Sequence, residues 1–190
     1  MGRWLLAACA CTAVLWGQEF KLGSQVGDFG VQDLHGNAVQ YSALKGNVTV
    51  VVFIATQCPV SNAYNERMKA LYADYTPKGV KFVFLNANRT EPAADVARHA
   101  QEHGFPFPVY KDDANLVADR FGATATPESF VMDQTGAIRY HGSIDDSQQI
   151  QRVSSQRLRN ALDAVLAGRP VERPETKAFG CSIQKVGKAS

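Results

Sequence analysis

The chain has 190 residues, 45% hydrophobic and 20% charged, with a formal net charge of +2. That length supports one well-cored domain, and the near-neutral balance lacks the clustered basic face of a nucleic-acid binder. No like-charge run marks an interaction tail.

The first residues predict a compartment. Met1-Gly2-Arg3 carries a positive charge, Trp4 to Trp16 is apolar and uncharged, and polar residues resume at Gln18 and Glu19. This is the pattern of a secretory signal over residues 1–17, and it falls short of the roughly 20 apolar residues of a stable membrane span. Leu6-Ala7-Ala8-Cys9 has the look of a lipoprotein box but comes too early in the segment. The expected location is extracytoplasmic, periplasmic or secreted. Signal removal takes Cys9 and Cys11 and leaves Cys58 and Cys181. Two thiols are too few for a disulfide scaffold in a domain of this size, which points to a chemical role over a stapling one.

In chain order, Phe29 to Leu34 and Ala38 to Tyr41 flank a His35-Gly36-Asn37 turn and predict a hairpin. Val48 to Ile54 is an unbroken β-branched and aromatic run, suited to a strand buried on both faces. Pro59 to Tyr75 repeats apolar residues at helical spacing (Val60, Tyr64, Met68, Leu71, Tyr75). Val80 to Leu85 is a second buried strand, and Glu91 to His103 a more polar helix stopped by Gly104. A Pro-rich stretch, 105–110, precedes a short helix, Ala114 to Phe121. Ser129 to Asp133 and Ala137 to His141 form a second hairpin, and Ile150 to Ala167 a long amphipathic helix capped by Gly168. The domain is expected over 22–168. A tail over 169–190, carrying Cys181 and interrupted by Pro170 and Pro174, is expected to lack regular structure. Strand–helix–strand order gives a parallel pair, and the late hairpin adds antiparallel strands. The fold class is therefore α/β, a mixed central sheet with helices on both faces.

Cys58 lies between the buried strand and the amphipathic helix, with Pro59 suited to the first helical position. Unsatisfied backbone N–H groups and the helix dipole there favour thiolate, the nucleophilic form, over an ordinary buried cysteine. Phe53-Ile-Ala-Thr-Gln-Cys-Pro-Val-Ser61 resembles the active-site segment of thioredoxin-like proteins. Phe121-Gly-Ala-Thr-Ala-Thr-Pro127 is similar to the approach to their cis-proline turn, and Asp133-Gln-Thr-Gly-Ala137 also fits. The closest resemblance, over roughly Gly23 to Ala167, is to the alkyl hydroperoxide reductase/thiol-specific antioxidant (redoxin) branch. One subgroup of it also ends in a Gly-Cys-Ser tail, as Gly180-Cys181-Ser182 does here. Three departures stand out. Ser61 occupies the place of the second motif cysteine, and Val52 stands where thioredoxins bury an acid. Thr56 is two residues before the cysteine, whereas peroxiredoxins place it three before with a proline upstream.

The resemblance implies an exported thiol oxidoreductase and antioxidant protein, without cofactor or metal. Cys58 would be its nucleophile in thiol-disulfide exchange or peroxide reduction, and Thr56, Pro59, Thr126 and Pro127 would border the substrate. Its partners would be a protein thiol or disulfide, or a small peroxide, with an external reductant such as a thioredoxin-like protein. From Gly168 the tail can extend roughly 40 Å, at about 3.3 Å per residue, across a domain of similar width. Cys181 can therefore resolve an intermediate on Cys58, dock the tail as a static disulfide, or take no part. Two other readings are a non-catalytic thioredoxin-like partner-binding domain, which Ser61 favours, and a metal chaperone. Arg120 and Arg139 are candidates for thiolate stabilisation. His35, His99, His103 and His141 show no metal spacing and read as solvated or capping residues.

Overall fold

The computed structural model describes residues 19–187. The signal predicted over residues 1–17, with Cys9 and Cys11, lies outside the described residues. The chain opens with a hairpin, β1 (Gly30–Gln32) and β2 (Ala38–Gln40), followed by a short α1 (Tyr41–Leu44). The hairpin turn is organised by Asp33, whose carboxylate accepts the N–H groups of His35 and Asn37, each at 2.8 Å. Next come β3 (Val48–Ile54), α2 (Pro59–Ala63), α3 (Asn65–Tyr75) and β4 (Val80–Asn86). They are followed by α4 (Ala93–Glu102), β5 (Val109–Lys111), α5 (Leu116–Phe121) and β6 (Ala125–Thr126). The chain finishes with β7 (Glu128–Met132), β8 (Ile138–Gly142), α6 (Arg157–Leu166) and β9 (Cys181–Ser182).

Seven strands form one mixed sheet in the order β2-β1-β5-β4-β3-β7-β8. β3 pairs in parallel with β4 and antiparallel with β7. Every residue of β3 is buried, so its side chains feed two cores by strict alternation. Val50, Val52 and Ile54 pack with Met68, Leu71 and Leu158 on the face covered by α3 and α6. Val51 and Phe53 pack with Phe121 and Phe130 on the opposite face. Burying each such side chain stabilises the fold by about 1.5–3 kcal/mol. The central strand is thus anchored on both sides, and it carries the chain straight to Cys58.

Four departures from the sequence expectations have local causes. The helix expected over 59–75 is divided at Tyr64, whose N–H bonds to Ser61 O at 3.0 Å, three residues back, tightening one turn. The helix expected over 150–167 begins only at Arg157, and Ile150 is 60% exposed. Asp146 is the reason: its carboxylate accepts the N–H groups of Ser154 (2.9 Å) and Ser155 (3.1 Å), taking donors a helix would need. The Pro-rich stretch runs into a true sheet strand, β5, parallel to β4 and antiparallel to β1. The tail, expected to lack regular structure, contains β9, which pairs with β6. Among the described residues no helix is long and apolar enough to cross a membrane.

Candidate active site

Cys58 caps α2 at the end of the turn that follows β3, with Pro59 in the first helical turn. The sulfur is buried, accepts the Ser61 N–H at 3.3 Å, and lies 3.4 Å from the Thr126 carbonyl. Ser61, in the place of the missing local thiol, is buried, and its hydroxyl accepts the Ala55 N–H at 3.1 Å. The turn between β3 and Cys58 is held from the connection between β4 and α4. Glu91 accepts the N–H of Thr56 at 2.8 Å and of Gln57 at 3.0 Å. It also accepts the side-chain amides of Asn86 at 2.5 Å and Asn88 at 3.1 Å. Lys111 is buried beneath, donating to Asn86 Oδ1, the Asn88 carbonyl and the Glu91 carbonyl. Burial would push the Glu91 carboxyl up, but these four donors outweigh it and hold it below the usual 4.5. A third support is Asn62, whose Nδ2 donates to Thr56 O at 2.8 Å while His99 Nε2 sits 2.9 Å from its Oδ1. Burial first, and then the neighbouring His103, lower the His99 pKa.

Opposite Cys58, the Thr126–Pro127 peptide bond is cis. The turn leading to it is fastened in the same way. Glu128, 3% exposed, accepts the N–H groups of Thr124 (2.8 Å) and Ala125 (2.9 Å). His141 Nε2 donates to its other oxygen at 2.6 Å, with the imidazole stacked on Phe130. Burial opposes ionisation of Glu128, yet His141 and the two backbone donors keep its pKa below 4.5.

The tail crosses both turns. Pro174 O accepts the His141 N–H, Thr176 N donates to His141 O (both 2.9 Å), and Phe179 meets the Tyr64 ring edge-on. Then β9 pairs with β6 in antiparallel register, Cys181 opposite Thr126. Cys181 forms a disulfide with Cys58, across a Cα–Cα distance of 5.8 Å and a sequence separation of 123. That Cα spacing is ordinary for a disulfide.

The structure therefore brings together Cys58, Cys181, Thr126 and Pro127. Thr56 enters through its backbone, clamped by Glu91 and Asn62, and Pro59 is an exposed residue of the first helical turn. Arg120 is engaged elsewhere, donating to Asp28 O and lying over the Phe20 ring, and Arg139 pairs with Asp133. His99 and His141 are not solvated or capping residues but part of the packing around the two turns. Among the described residues no group of three or more potential metal ligands gathers. A surface groove of about 940 Å³, lined by Asn47, Lys78 and Asp133 among others, lies at the opposite end of β3 from Cys58. Sequence reasoning missed Glu91 and Glu128. Val52 stays apolar in the buried strand, and the buried acid near this turn is Glu91, which arrives from the β4–α4 connection and accepts the N–H groups of Thr56 and Gln57.

A cysteine heading the helix after a central parallel strand, across from a cis-proline turn, defines a thioredoxin-like protein. Within that class the chain belongs to the AhpC/TSA family, whose model matches residues 22–141. Its relatives include the thiol-disulfide oxidoreductase ResA of Halalkalibacterium halodurans, 30% identical over 62% of this chain and 66% of that protein. The alignment thus spans just under two thirds of that relative's length. Two solved structures cover the described chain more completely. One is an uncharacterized conserved protein from Geobacillus kaustophilus, with TM-score 0.82 and 34% identity over 90% of this chain and 95% of that one. The other is a hypothetical protein from Sinorhizobium meliloti, with TM-score 0.81 and 29% identity over 90% and 98%. The expectation of a redoxin-family chain with a thioredoxin-like fold stands.

Proposed function

We propose that the chain is an exported thiol-disulfide oxidoreductase whose redox pair is Cys58 and Cys181. One observation carries the reading: the tail delivers Cys181 into bonding distance of Cys58 across the cis-proline turn. In the dithiol form the Ser61 N–H faces Cys58 Sγ and favours thiolate there. That thiolate attacks one sulfur of a client disulfide, forming a mixed disulfide and expelling the other client sulfur as thiolate. The Cys181 thiolate then attacks Cys58 Sγ, the mixed bond breaks, and the second client thiolate leaves. Two electrons pass from the protein to the client, each client thiolate takes up a proton, and an external dithiol protein restores the pair.

A protein disulfide is favoured over a peroxide as the natural partner. Thr126 presents its backbone to an extended chain, and the peroxiredoxin arrangement of proline and threonine before the cysteine is missing. The uncharged apolar stretch over residues 4–16 supports export, with residues 1–17 removed, a domain over 22–168 and a functional tail over 169–190.

The experiment is alkylation and mass spectrometry of the native protein in graded dithiol buffers, followed by turnover with a protein disulfide and, separately, with hydrogen peroxide. The expected result is a 58–181 bond that opens reversibly in the folded protein, with faster turnover on the protein disulfide. A bond untouched by excess dithiol until the protein unfolds would make the pair a static staple and end the reading.

A further inference from the structure

The segment after Cys181 is held through its backbone by a row of fixed groups. Thr126 Oγ1 donates to Cys181 O at 3.4 Å, and Ile183 N–H donates to Thr124 O at 2.9 Å. Gln184 is gripped twice, its N–H by Asn88 Oδ1 at 2.7 Å and its carbonyl by the Arg89 N–H at 2.9 Å. Val186 N–H reaches Asn115 Oδ1 at 2.6 Å. Asn88 and Asn115 are 5% and 2% exposed, and each is locked by its own amide, on Glu91 and on the Ala87 carbonyl respectively. Two buried carboxamides thus each accept a main-chain N–H through their oxygens, at alternate residues of the tail, Gln184 and Val186. Such groups read the main chain and ignore side-chain identity, except at two places. At Gly180 a Cβ would run into the Thr126 carbonyl, and the backbone sits at φ +153°. Ile183 is 7% exposed and packs into the cluster that holds Phe121 and Ala123.

We infer that Thr124, Thr126, Asn88, Arg89 and Asn115 form a binding groove for extended cysteinyl polypeptide, and that the tail is its tethered occupant. Residues 180–186 then describe the preferred client: a glycine or other very small residue before the cysteine, an apolar residue two positions after it, and free N–H groups two, three and five positions after it. Client and tail exclude each other, because both need the edge of Thr126. The inference rests on Cys58 being the attacking thiolate and adds the recognition that directs it.

The test uses the full chain carrying Cys181→Ser, which retains Cys58 and cannot resolve. A peptide acetyl-Gly-Cys-Ser-Ile-Gln-Lys-Val-amide is supplied as its mixed disulfide with nitrothiobenzoate. Cys58 thiolate attacks the peptide sulfur, the sulfur–sulfur bond breaks, and coloured nitrothiobenzoate anion is released and timed. Replacing the glycine by valine is expected to slow capture about tenfold, through overpacking against Thr126. Replacing the isoleucine by aspartate is expected to slow it by about tenfold, through lost apolar burial. N-methylation of the glutamine, which deletes one hydrogen bond, should cost about 2- to 10-fold. Adding Gly180→Val to the protein should speed capture of the parent peptide, because the protein's own strap can no longer seat. Equal rates for all peptides, with a small aryl disulfide still reacting, would overturn the groove while leaving the thiol chemistry intact. No reaction with the aryl disulfide or any peptide would overturn both.

Discussion

The two sulfurs of the disulfide are held by very different parts of the molecule. Cys58 follows a strand buried on both faces, and the turn before it is fastened by a buried carboxylate, a buried lysine and a carboxamide relay. Cys181 sits on a two-residue strand of a largely exposed tail, tied on by backbone hydrogen bonds and by a few side chains such as Phe179 and Ile183. One sulfur is fixed by the scaffold and the other is brought to it. In the proposed function that asymmetry favours one order of events, with attack from the fixed sulfur and resolution by the delivered one.

The largest expected effect breaks this asymmetry directly. Cys58→Ser should abolish exchange with client disulfides, a loss of at least about 10³-fold of the kind seen when a nucleophile is removed. Cys181→Ser should leave the first attack within a few-fold of normal and let the mixed disulfide accumulate, read by non-reducing mass spectrometry. Symmetric losses would mean that the two sulfurs are interchangeable. A smaller effect concerns stability. Opening a disulfide that closes a loop of 123 residues should cost about 2–4 kcal/mol in denaturant unfolding, the typical range for native bridges.

The smallest expected effect tests what the two turns share. Glu91 and Glu128 each accept two backbone N–H groups at a turn flanking the disulfide, and both have pKa values below 4.5 in the folded state. A depressed folded pKa adds stability that is fully present above the unfolded value and is lost as pH falls through the folded one. Urea midpoints should therefore decline as pH drops below about 4.5, where the unfolded carboxyls begin to bind protons. Glu91→Gln or Glu128→Gln should each remove part of that decline and cost about 1–3 kcal/mol at neutral pH. An undiminished acid slope in the double variant would place the titration in other carboxylates.

Much of this architecture was legible because it is local. The run Val48 to Ile54 announces a strand buried on both faces, and Cys58-Pro59 announces a helix start. Thr126-Pro127, in the right element order, marks the opposing turn. What escaped notice depends on distant partners. Glu91 serves N–H groups 34 and 35 residues away, and nothing around it in sequence distinguishes it from a surface acid. Glu128 hides behind the proline motif, with its histidine partner on the next strand. The β6–β9 pairing joins two-residue strands 55 residues apart at Thr126 and Cys181, too short for any alternation to register. The late start of α6 is a case of side-chain competition: Asp146 captures amides that apolar periodicity alone assigns to a helix.

The bridge between Glu175 and His141 on β8, closed by the Thr176 N–H on the His141 carbonyl, has a kinetic consequence. With the tail pinned there, Cys181, if it resolves as proposed, need not search from the end of α6. Only residues 177–180 separate the pin from Cys181, so its local concentration at Cys58 is set by a very short leash. The dwell time of a captured client would then depend on the enzyme's own leash length as well as on how firmly the client holds the edge of Thr126, like a clock with an internal spring. Inserting glycines between Thr176 and Gly180 would slow that clock without touching the sulfur that strikes first.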